Sequence, residues 1–146
     1  MRFCILAITM DKSTLLKKIN DRNHGTLMQT LGIEFTEIGE NYLVARMPVS
    51  PAVHQPDGVL HGGATAALAE TVGSFAAHIF LDTDTYFVRG IDLSAQHVKS
   101  VKEGFVYAKA KCIHSGRTTQ VFDIKVTNDS NELVSLCKLT TLTLPK

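Results

Sequence analysis

The chain has no tryptophan, only three cysteines and four prolines, and almost no charge imbalance. Each shortage removes a class of explanation. Cys4, Cys112 and Cys137 are odd in number, far apart and without a CxxC pair, so neither a disulfide framework nor a zinc site is expected. Such cysteine usage fits a reducing cytoplasm. The six histidines form no HExxH or similar ligand spacing, and no metal is expected. Fifteen basic against fourteen acidic residues leave a net charge of +1, which argues against a polybasic nucleic-acid binder or a polyacidic tail. Ten glycines in 146 residues make no case for disorder or a fibrous repeat. No apolar run approaches the ~18 residues of a membrane span, so no membrane association is expected.

The apolar run from Phe3 to Ile8 is six residues long, shorter than the roughly 7–15 of a signal-peptide core. Polar Thr9-Met10-Asp11-Lys12 follows where a cleavage site would stand. This segment reads as an upstream extension before a start at Met10, or as a loosely packed arm.

What remains is ordinary globular material, 45% hydrophobic and 20% charged, long enough to bury roughly two-thirds of its unfolded surface. Residues 1–25 read as an N-terminal extension with a short helix, and 26–146 as the main domain. Ser13 is the candidate cap for a helix carrying Leu15, Leu16 and Ile19. Thr26–Leu31 reads as a helical turn stopped by Gly32. Ile33–Ile38 and Tyr42–Met47 flank Gly39-Glu40-Asn41 as a hairpin. Further strands are expected at Tyr86–Val98, Phe105–His114, Thr118–Thr127 and Leu133–Leu144, separated by turn residues.

Gly62–Leu81 stands apart. Its alanine-rich sequence suits a helix of five turns, with Leu68, Val72, Phe75 and Ile79 on one apolar stripe. A second face carries Ala66, Glu70, Ser74 and Ala77, with Glu70 a lone carboxylate among small residues. Several strands with one such helix imply an α+β fold, a curved antiparallel sheet wrapped around it.

A lone Glu on a helix is most simply a solvated side chain. The neighbourhood argues otherwise, because His61, Gly62 and Gly63 stand two turns upstream, after Gln55-Pro56-Asp57-Gly58-Val59-Leu60. Glycines without Cβ let a ligand approach the helix N-terminus, where free N–H groups and the positive end of the dipole face outward. Such groups hold a developing oxyanion while a carboxylate serves as base or nucleophile. That equipment suits acyl transfer from an activated ester.

Gln55 to Ala64, followed by Leu68-Ala69-Glu70-Thr71-Val72-Gly73-Ser74, resembles the signature of hotdog-fold acyl-CoA thioesterases. Within them it is most similar to the branch of phenylacetate-pathway thioesterases and 1,4-dihydroxy-2-naphthoyl-CoA hydrolases. Thr26-Leu27, Leu31 to Phe35, Gly90 to Leu93, His97-Val98, Gly104, Ser115-Gly116-Arg117 and Leu139-Thr140-Thr141 extend the likeness. The resemblance implies Glu70 as the catalytic carboxylate, Gly62 as N–H donor to the thioester oxygen, and Gln55 and His61 as orienting groups. It also implies Ser74 beside the carboxylate or water, and His97 and Gly63 on the substrate side. The site would lie across a homodimer interface, Glu70 and Ser74 of one subunit facing Gln55, His61 and Gly62 of the other, with dimers paired into a homotetramer. The implied substrate is an aromatic or medium-chain acyl-CoA, with coenzyme A entering only as part of the substrate and no other cofactor.

Each residue also has a plainer reading: His61 as a helix cap, Gln55 as a loop residue, Ser74 bonded to a backbone carbonyl, His97 as a structural strand histidine. Between Arg89 and Arg117 the chain carries a net charge of +4. Ser115, Gly116, Arg117 and Thr118 form a turn fit to hold coenzyme A phosphates, while Lys109 and Lys111 read more simply as a solvated sheet face. Two other functions compete, an enoyl-thioester hydratase or dehydratase and a non-catalytic acyl-CoA-binding protein.

Overall fold

Alternating apolar residues and one small-residue helix give the architecture its two layers. The computed structural model describes residues 11–80 and 85–146. The run from Phe3 to Ile8, and Leu81 at the end of the long helical segment, lie outside the described residues.

Helix α1 covers Lys12–Asp21 and α2 covers Leu27–Leu31, ending at Gly32 in the left-handed conformation. Strands β1 (Glu34–Ile38) and β2 (Tyr42–Pro48) form the expected hairpin. A 3-10 turn at Pro51–Val53 leads to α3, Gly62–Phe80. Strands β3 (Tyr86–His97), β4 (Phe105–Ser115), β5 (Thr119–Asn128) and β6 (Leu133–Pro145) follow. All six join one antiparallel sheet in the order β1-β2-β4-β5-β6-β3. It is the α+β hotdog arrangement, with α3 packed against the inner face.

The stripe read from the sequence is the buried one. Leu68 and Val72 are wholly inaccessible and Ile79 nearly so, while Phe75 is half-covered against the ring of Phe35, 4.6 Å between centroids. Opposite them lie Met47, Phe122, Ile124 and Leu139 of the sheet. The second helix face is no solvent face. Ala77 is buried, and Ala66, Glu70 and Ser74 are half-covered.

One local reading is corrected. The α1 cap is Asp11, not Ser13: its carboxylate accepts from the N–H groups of Ser13 and Thr14 at 3.2 and 3.1 Å. A carboxylate with two acceptor oxygens satisfies two orphan donors at once, and these bonds hold its pKa well below the usual range. Ser13 instead donates its hydroxyl to Asp11.

The two sheet edges differ. On β1, the Asn20 side chain accepts from the Phe35 N–H at 2.8 Å and donates to the Phe35 carbonyl at 2.9 Å, standing in for a neighbouring strand. Among the described residues, strand β3 has β6 on one side only, and Tyr86, Phe87 and Ile91 are exposed along it. A long edge of this kind is a template for pairing.

Leu68→Ala is expected to cost about 2–5 kcal/mol, because the sheet cannot collapse into the cavity left beneath α3. Urea denaturation checks this through a lowered midpoint at unchanged slope.

Candidate active site

The start of α3 is built by backbone bonds on both sides of it. Leu60 N–H donates to the Val101 carbonyl and His61 N–H to the Val53 carbonyl, each at 2.8 Å. Upstream, Gln55 closes a tight loop with Val59, helped by Gly58 at φ 73°. The loop therefore enters the helix at a fixed angle.

The opening N–H groups of α3 are not equivalent. Gly63 donates to Nδ1 of His61 at 2.8 Å, and Ala64 and Thr65 donate to the His61 carbonyl. Among the described residues the Gly62 N–H has no acceptor. It is the one first-turn donor left over, at the positive end of the helix dipole. Gly62 lines a cavity of about 320 Å³ together with Gln55, Leu60, Thr65, His97 and Val134. Gln55 donates to the Asp57 carboxylate at 3.3 Å, so its amide is held at the mouth of that loop.

His61 goes elsewhere. It faces a second cavity of about 280 Å³ with His54, Gly63 and Ala64, and its ring caps the helix through Gly63. Because Nδ1 accepts that bond, the neutral ring carries its proton on Nε2.

His97 reaches the head of α3 from the end of β3. A Cβ on Gly62 would stand 2.8 Å from its Nε2, so the glycine leaves room for the ring. Behind it, buried Ser135 donates to the Gln96 carbonyl at 3.1 Å and lies 3.0 Å from His97 Nδ1. That contact holds the ring with Nε2 toward Gly62. Nothing in the sequence marks Ser135, a strand serine like many others.

Glu70 and Ser74 sit one turn apart, further along α3. The Glu70 carboxyl has its pKa raised above the usual 4.5, first because burial strips its water, with a Ser74 hydrogen bond partly offsetting the rise. Ser74 thus bonds the carboxylate. Glu70 is not among the residues lining the Gln55–Gly62–His97 cavity. Eight residues of helix put the Gly62 and Glu70 backbones about 12 Å apart.

The basic run disperses. Lys99 pairs with Glu132 at 2.8 Å, Lys109 lies 3.7 Å from the centroid of the Tyr42 ring, and Arg89 donates to the Val88 carbonyl. Ser115, Arg117 and Thr118 are exposed and Gly116 half-exposed at the β4–β5 turn, where the Gly116 N–H donates to the Thr119 carbonyl. Arg117 has no ion pair among the described residues. His54 bonds the Lys102 carbonyl. Burial depresses the His78 pKa, helped by the charges of Arg22, Arg89 and Lys146. No group of three His, Cys, Asp or Glu suited to a metal occurs among the described residues.

Residues 57–135 match the model of the thioesterase superfamily. The proofreading thioesterase EntH of Cronobacter turicensis is 40% identical over 126 residues, 86% of this chain and 91% of that protein. The structure of a mutant thioesterase from Pseudomonas aeruginosa superposes with a TM-score of 0.89 at 36% identity, covering 94% of this chain and 96% of that one. A thioesterase from Haemophilus influenzae gives 0.89 at 35% identity, covering 99% and 96%.

The raised Glu70 pKa has a thermodynamic sign. A carboxyl that stays protonated to higher pH in the folded state contributes stability that is fully present below about 4.5 and lost as pH rises through the folded value. Glu70→Gln removes that loss. The melting temperature of the variant relative to wild type is expected to climb between pH 4 and pH 8. A difference that stays flat across this range contradicts the burial of the charge.

Proposed function

Since this chain belongs to the thioesterase superfamily, we propose that it hydrolyses the thioester of an aromatic or medium-chain acyl-CoA. Substrates of this class include 1,4-dihydroxy-2-naphthoyl-CoA and phenylacetyl-CoA derivatives. The observation that carries this reading is the N–H of Gly62, without an acceptor among the described residues, on a residue that lines a cavity with Gln55 and His97. The thioester oxygen accepts from it, and negative charge developing there is stabilised by the helix terminus. Glu70 then attacks the carbonyl carbon or takes a proton from the attacking water. The carbon–sulfur bond breaks as a carbon–oxygen bond to water or to Glu70 forms, and the coenzyme A thiolate leaves and is protonated. In the Glu70 route water then cleaves the resulting anhydride to release the acid. Ser74 holds the carboxylate, Gln55 orients the carbonyl, and His97 borders the acyl group. His61 acts through its cap on Gly63, which sets where the helix begins.

The two halves belong to different copies of the chain in this reading. Glu70 does not line the cavity that Gly62 shares with Gln55 and His97, which supports a site completed by a second copy. The unpaired β3 edge supports pairing with a second copy about a two-fold axis, which makes two equal sites. Exposed Ile113, Leu133 and Leu136 support the further pairing of dimers into a homotetramer. A hydratase would need a histidine beside the carboxylate, and both His61 and His97 stand at the head of α3 instead. The phosphates of coenzyme A fall to the Ser115-Gly116-Arg117-Thr118 turn, in a cytoplasmic setting where acyl-CoA is available.

Two measurements follow. Thiol release from a panel of acyl-CoA esters is expected to show turnover that Glu70→Gln lowers on the order of 10²–10⁴-fold. Near-wild-type kcat in that variant removes Glu70 from the reaction. Arg117→Ala is expected to raise KM for acyl-CoA at nearly constant kcat, the mark of uniform binding. The N-acetylcysteamine thioester, which has no nucleotide, should be unaffected. Equal loss on both substrates assigns Arg117 a structural role.

A further inference from the structure

Gly90 lies inside β3, a strand of twelve residues. Glycine in a strand interior weakens it and packs nothing, so its presence calls for a cause. One cause is a backbone angle that other residues avoid. The positive-φ glycines among the described residues are Gly25, Gly32, Gly58 and Gly104, so Gly90 is not held by its angle. The other cause is space. A Cβ on Gly90 would overlap Oε1 of Glu70 and stand 3.1 Å from its carboxyl carbon, whereas Leu139 is at an ordinary 3.5 Å. The group that excludes a side chain at position 90 is therefore the carboxylate of α3. At the same point the β3–β6 ladder slips: Gly90 pairs with Thr141 and Asp92 with Thr140, leaving Ile91 as the extra residue. Bulges bend a strand and occur beside functional sites.

We propose that Gly90 is a positioning residue for Glu70, its bare backbone at the bulge forming the seat on which the carboxylate rests. The kinetic consequence depends on the reading of Glu70 as the catalytic carboxylate; the seat does not. An alanine at 90 keeps a permitted backbone conformation and suits a strand better than glycine. Any loss it causes is then transmitted through Glu70, which must swing to another rotamer and carry its oxygens away from the substrate.

Four proteins test this: wild type, Gly90→Ala, Glu70→Ala and the double variant. Gly90→Ala is expected to lower the melting temperature by roughly 3 °C or more in wild type. In the Glu70→Ala background the same change should lower nothing, because the space is empty. Thiol release by Gly90→Ala should show kcat reduced roughly 10²-fold with KM within about threefold. Equal temperature shifts in the two backgrounds overturn the seat. If Gly90→Ala fails to fold, recovery of folding in the double variant supports the seat, and failure of both overturns it. Coupled melting temperatures with unchanged kcat support the seat and overturn the catalytic role of Glu70 alone.

Discussion

The site depends on how closely α3 lies against the concave face of the sheet. Alanines and glycines on the helix allow that approach, and Gly73 shows its limit: a Cβ there would sit 2.5 Å from Leu139 and 3.0 Å from Ile124. The helix cannot roll or retreat without opening the core, so everything it carries is placed to within side-chain freedom. Glu70 is carried into partial burial by this packing, where losing water makes its charge costly. A carboxylate held this way is a stronger base than a solvated one. The same rigidity aims the helix N-terminus into the cavity of Gln55 and His97.

The edges of the sheet complete the picture. A side-chain amide covers Phe35 on β1, while among the described residues β3, the strand on which Glu70 rests, keeps a long free edge. The partly covered edge and the open one favour growth of the sheet along β3. In the proposed dimer the open edge and the half-built site are one problem with one solution. A second copy covers the apolar side chains of β3 and brings its own helix start toward Glu70.

Much of this was legible in the amino-acid order. The strand boundaries, the hairpin and the helix from Gly62 follow from alternation, turn residues and a helical stripe, and the structure moves most of them by only a residue or two. Local competition was harder to read. Asp11 and Ser13 are both good caps, and only the geometry shows that the carboxylate takes the donors. His61 and His97 look alike as candidates, yet one ring caps a helix and the other faces the cavity. Their difference arises from one contact two residues away, His61 with Gly63, and one 38 residues away, His97 with Ser135. Gly90 did carry a signal, a glycine amid strand residues, but its reason lies twenty positions away on another element. The partners of the basic run were equally hidden: Lys99 meets Glu132 and Lys109 meets Tyr42 only after folding.

The central claim is that one chain supplies half of each site. Glu70→Gln and Gln55→Ala chains, each impaired alone, can be co-expressed with different tags so that mixed dimers form. If the halves come from different chains, a mixed dimer contains one site with both residues intact. Random pairing then restores about a quarter of wild-type thiol release, since half the dimers are mixed and each has one good site of two. Activity no greater than the average of the two separate variants would mean that Gln55 and Glu70 of the same chain work together, and would contradict the account.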